Sequence, residues 1–110
     1  METTYKKIVE INDVFNKIAA MPMPMEDAHC FMKAILELET KYADIDSYAS
    51  EINESYKMED SDKANAKINE FLETKTNLES FPIYVCDANF LVLSPIDLIR
   101  VKDFIKLKPL

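Results

Sequence analysis

A chain of 110 residues has the length of one domain and can bury a single, modest core. Twenty acidic against thirteen basic residues give a formal charge of −7, which argues against direct binding to nucleic acid or to an anionic membrane and suits a basic protein partner. Glycine is absent where about eight would be usual, so glycine-rich nucleotide loops are excluded and tight turns fall to Asn, Asp, Ser or Pro.

The first predicted element is a helix over residues 4–20. Tyr5, Ile8, Ile11, Phe15 and Ile18, with Val9 beside them, recur at spacings of three and four, and Thr3 or Thr4 can cap its start. Met21-Pro22-Met23-Pro24-Met25 must end it, because neither proline fits a helix interior. Pro24 is well placed to open the next helix, with Glu26 and Asp27 at the positive end of its dipole.

That second helix is predicted over residues 24–57 and carries the strongest pattern in the chain. Ala28, Phe31, Ile35, Leu38, Tyr42, Ile45, Ala49, Ile52 and Tyr56 alternate spacings of three and four through four heptads, a coiled-coil-like seam that needs partners along its length. A turn over residues 57–60 leads to a third helix over 61–79, with Ala64, Ile68, Phe71, Leu72 and Leu78 as its apolar positions. So short a link implies an antiparallel helical hairpin.

Phe81-Pro82 breaks the helical pattern. Ile83-Tyr84-Val85-Cys86 and Phe90-Leu91-Val92-Leu93 flank Asp87-Ala88-Asn89 and read as a β-hairpin over residues 83–93. The last helix is predicted over 94–107, capped by Ser94, opened by Pro95 and carrying Asp97 in its first turn. Ile96, Ile99, Phe104 and Leu107 form its expected buried stripe, widened by Leu98, Val101 and Ile105. The fold class expected is therefore α+β, mainly α: a long antiparallel helical hairpin with an N-terminal helix, a small C-terminal β-hairpin and a final helix.

Little in the chain suggests catalysis. His29 and Cys30 are neighbours, and neighbouring helical side chains diverge by about 100°. One His and two distant Cys, Cys30 and Cys86, make neither a zinc motif nor a disulfide framework, so neither metal nor cofactor is expected. A Cys30–Cys86 disulfide stays open, although a reducing compartment disfavours it. The N-terminus lacks the pattern of a secretory signal and no run of 18 apolar residues exists, so the expected location is cytoplasmic.

Two surfaces suggest binding. Glu37, Asp44 and Glu51 recur every seven residues off the apolar seam, either as a solubilising face or as a ladder for a basic groove. The C-terminal segment holds more apolar residues than a small core needs, with Tyr84, Leu91, Leu98, Val101 and Ile105 as candidate contacts. Its residues 83–110 carry a net charge of +1, which leaves −8 on the rest. Met21, Met23 and Met25 form either a plug at one end of the bundle or an adaptable contact.

In the order of its parts, carried by Ala28 to Leu38, Ile83 to Leu93 and Ser94-Pro95-Ile96-Asp97-Leu98 leading to Phe104-Ile105, the chain resembles small uncharacterised proteins of tailed phages. The resemblance implies a viral origin, hence host cytoplasm or virion, and assigns no site residue; the missing glycine departs from it. The function expected is a non-enzymatic protein–protein interaction or assembly protein, its partner another protein or a second copy. The alternative is an acidic inhibitor of a host nuclease or other nucleic-acid-binding protein.

Overall fold

The computed structural model describes residues 1–56, 61–85 and 91–108. It is mainly helical with two small strand pairs, in the order β1 (Glu2–Thr4), α1 (Tyr5–Ile18), α2 (Met25–Tyr56), α3 (Ser61–Leu72), β2 (Lys75–Asn77), β3 (Ile83–Val85), α4 (Pro95–Val101) and β4 (Ile105–Leu107).

Helix α1 starts where Thr4 is extended and its hydroxyl accepts the Lys7 N–H at 3.3 Å. Ile8, Ile11, Val14, Phe15 and Ile18 form its buried stripe. Without glycine, the helix ends in a tightened right-handed turn. Ala20 and Met21 donate to the carbonyls of Lys17 and Ile18, and Pro22 then stops the ladder.

Helix α2 is continuous for 32 residues, about 48 Å at 1.5 Å per residue, and accounts for most of the 55 Å long axis. Three rungs show that α2 and the chain from α3 onward run antiparallel. Tyr48 stacks on Phe71 with ring centroids 4.3 Å apart, Lys41 Nζ lies 2.9 Å from Thr76 Oγ1, and Glu37 reaches Glu79 and Ser80. Helix α1 covers the other end of α2 through the Phe15–Phe31 ring contact.

The heptad seam is only partly the buried line. Phe31, Leu38 and Ile45 are buried as expected, but Ala28 is exposed, while Asp27 and Ala34 are buried in its place. A straight α-helix drifts about 20° per heptad against a strict seven-residue repeat. Helix α1 and the segment after α3 cover α2 at different points, so its buried face rotates along its length. Beyond Ile45 the seam residues Ala49, Ile52 and Tyr56 are only half-buried.

The third helix ends at Leu72, seven residues before the expected limit. Glu73 N–H is shared between the carbonyls of Asn69 and Glu70, and Lys75–Asn77 then pairs antiparallel with Glu2–Thr4, Thr3 opposite Thr76. Thr74 and Thr76, poor helix formers, fall in this stretch. Leu78, expected on the helix, is fully buried beyond the strand.

The C-terminal hairpin is also corrected. Strand β3 pairs in parallel with β4, Ile83 opposite Ile105 and Val85 opposite Leu107, and Leu91 to Leu93 form no strand. The proposed turn at Asp87 to Asn89 lies outside the described residues. The final helix therefore stops at Val101, and Ile105–Leu107, expected to be helical, is extended. Helix α4 serves as the crossover between two parallel strands, which need a connection of this kind.

The core runs through a chain of rings. Phe31, Phe15, Phe81 and Phe104 meet successively at centroid separations of 6.1, 5.4 and 5.7 Å, the last two edge-on. They join α2, α1, the segment before β3 and the turn before β4. A second stack, Tyr5–Phe71–Tyr48, ties the start of α1 and the end of α3 to the C-terminal half of α2.

Candidate functional site

The C-terminal segment is where the apolar pattern and the observed burial disagree most. Val101 and Phe104 point inward, as does Asp97, whereas Ile96 and Ile99 are 58% and 64% exposed. The expected stripe of Ile96, Ile99, Phe104 and Leu107 is thus mostly outside: of the four, only Phe104 is buried. The helix is turned by Asp97, a carboxylate that bulk apolar patterning would send to solvent. Lys17 Nζ donates to it at 2.8 Å, Arg100 lies 3.7 Å away, and the Asp97 N–H caps onto Ser94 Oγ at 3.3 Å. A carboxylate so paired can be buried against α1, and its helix then faces Ile96 and Ile99 outward. The Lys17 hydrogen bond is the main cause holding the Asp97 carboxyl below its usual range. Burial opposes this, while the charges of Lys17 and Arg100 and the Ser94 hydroxyl reinforce it.

The five candidate contacts of the C-terminal segment fall into three groups. Tyr84 and Leu98 are exposed. Leu91 and Ile105 are half-buried against the core, and Val101 lies within it at 2% exposure, which removes Val101 as a surface contact. The apolar surface missed by patterning consists of Val92, Ile96, Ile99 and Leu107, all exposed. The signal that could have located the outer face of α4 is Asp97, given a cationic partner to receive it.

The acidic ladder is divided. Asp44 and Glu51 are exposed on α2. Glu37 is engaged within the fold, each carboxylate oxygen accepting one backbone N–H, from Glu79 at 2.9 Å and from Ser80 at 3.1 Å. It anchors the turn that leads into β3, so it is not free to meet a partner.

Met21 and Met23 pack on the core and Met25 is exposed, so the Met-Pro segment both plugs and projects. Beside it, Met21, Met23, Ala28, Phe31, Met32 and Leu36 line an apolar groove of about 290 Å³. On the other flank of α2 a more polar cleft of about 410 Å³ is bounded by Asp27, Cys30, Lys33, Glu79, Tyr84 and Lys108. His29 and Cys30 are both exposed, and Cys30 is a free thiol; Cys86 lies outside the described residues. Among the described residues no cluster of His, Cys, Asp and Glu is suited to a metal ion, and no helix is long and apolar enough to cross a membrane.

Comparison with protein-family models, with curated proteins and with solved structures finds no match to this chain.

Proposed function

We propose that the chain is a non-enzymatic protein–protein interaction or assembly protein that docks through its C-terminal segment. The observation that carries this reading is the outward placement of Ile96 and Ile99, one turn apart on α4, with Val92, Leu98 and Leu107 also exposed in the same segment. Removing one such side chain from water contributes about 1.5–3 kcal/mol, so two or three at the centre of an interface can dominate its affinity. The basic excess of residues 83–110 suits an acidic partner surface, and the acidic helices of a second copy supply one. The resemblance to small tailed-phage proteins makes a virion or a host-cell complex the assembly to examine first.

The test is the double variant Ile96→Asp/Ile99→Asp, which leaves the inward residues Asp97, Val101 and Phe104 untouched. Light scattering over a concentration series should show self-association in the wild type that the variant loses. If the partner is a different protein, capture from the native cell should recover it with the wild type alone. Equal assembly and equal partner recovery by both chains overturn docking through this segment.

A second reading, an acidic inhibitor of a nucleic-acid-binding protein, rests on the exposure of Asp44 and Glu51 seven residues apart. It expects Asp44→Lys/Glu51→Lys to abolish binding and added salt to weaken it; salt-insensitive binding removes it.

A further inference from the structure

The polar cleft beside α2 contains a carboxylate with nothing to hold. Asp27 is 8% exposed, yet among the described residues its carboxylate makes no hydrogen bond and no ion pair. The local sequence explains why. Three residues before it stands Pro24, whose carbonyl accepts the Ala28 N–H at 2.9 Å and so occupies the cap position of α2. A carboxylate at this third helical position ordinarily reaches back to the N–H of the cap residue, and proline has none. Among the described residues, no fully enclosed polar side-chain atom lacks a partner, so the unpaired oxygens of Asp27 keep their contact with the cleft they line.

The rest of the cleft favours a cation. Three carboxylates and two ammonium groups line it, but Glu26 and Lys108 pair with each other at 3.3 Å on the rim. Asp27 and Glu79 then outnumber Lys33. Tyr84, exposed on the outer face of β3, adds an aromatic wall of the kind that receives cations. A carboxylate paired by a donor cation forms a strong, charge-assisted hydrogen bond.

We propose that this cleft binds a protonated amine or guanidinium group, carried by a free polyamine or by a Lys or Arg side chain, which donates to the carboxylate of Asp27. This does not rest on docking through α4 and can stand or fall separately from it.

The experiment is a titration of the ¹⁵N-labelled full chain at constant ionic strength, with spermidine in one arm and the blocked tripeptide Ala-Arg-Ala in the other. At least one probe should produce saturable amide shifts confined to residues 26–33 and 79–84. Saturation by spermidine alone assigns a free polyamine, and by the peptide alone a protein side chain. Asp27→Asn should weaken binding about tenfold or more, the loss of one charge-assisted bond. Cys30→Phe, a change at an exposed position that fills the cleft while keeping Asp27, should do the same. Asp44→Asn/Glu51→Gln should bind like the wild type. Absence of saturable shifts with both probes, or binding that Asp27→Asn leaves undiminished, overturns the proposal.

Discussion

Glu37 and Asp97 show how single carboxylates position whole segments. Glu37 offers one oxygen to each of two consecutive backbone N–H groups, at Glu79 and Ser80. Glu37→Gln can satisfy only one of them as an acceptor, and should destabilise the fold by about 1–2 kcal/mol in urea denaturation. Asp97 carries a pH signature. Its folded carboxyl titrates below the usual value, so the stability linked to it is complete above the unfolded carboxyl value of about 3.9 and is lost as pH falls through the lowered folded value. Thermal melts from about pH 5 down to about pH 2 should therefore fall more steeply for the wild type than for Asp97→Asn. Equal slopes would mean that Lys17 does not hold this carboxylate in solution. At the same scale, Ile96 and Val101 mark the limit of apolar patterning. Both are aliphatic residues of one helix, and Val101, one turn after Asp97, shares the face that meets Lys17 and the core, while Ile96 lies on the face left outside.

Among the elements, the long helix was the most legible. Thirty-two residues without an interior proline or glycine, and with apolar residues at every third and fourth position, leave few alternatives to helix. The start of α4 was as clear, because Ser94, Pro95 and Asp97 each act through local geometry. The ends of α3 and α4 were not legible. Lys75–Asn77 and Ile105–Leu107 are three-residue strands whose hydrogen bonds go to Glu2–Thr4 and Ile83–Val85, segments 73 and 22 residues away in the sequence. Nothing within such a stretch announces a partner so remote. Contact between α2 and α3 rests partly on the Tyr48–Phe71 stack, whose planes are 15° apart. A double-mutant cycle with Tyr48→Leu and Phe71→Leu should return a coupling of about 0.5–1.5 kcal/mol. No measurable coupling would assign the α2–α3 contact to simple area burial.

Over the whole molecule, two ring clusters divide the work of holding a long, narrow shape together. Phe15 sits at the centre of the larger cluster, touching Phe31 and Phe81, and is almost fully buried. Phe15→Ala should cost about 3–5 kcal/mol and unfold α1, α2 and the C-terminal pair cooperatively. Loss of the C-terminal pair alone, seen by hydrogen exchange, would contradict that linkage. The far end of α2, past Ile45, relies on half-buried contacts and should exchange faster. The −8 carried by the first 82 residues spreads over this length, against a net +1 on the C-terminal segment.

By itself the sequence determined what depends on neighbours within a turn or two: helix starts, the continuity of α2, the break at the prolines, and a mainly helical chain with a small extended part. The tertiary structure alone decided what depends on contacts between distant segments: strand partners, the rotation of α4, the duty of Glu37 and the isolation of Asp27. The physical reason is that periodicity marks a residue as apolar relative to its own helix, whereas burial is set by which surface arrives opposite. Both candidate sites belong to the second kind. Ile96 and Ile99 are exposed because the face of α4 that carries Asp97 and Val101 meets Lys17 and the core, and Asp27 is unpaired because the residue that ordinarily satisfies it is a proline.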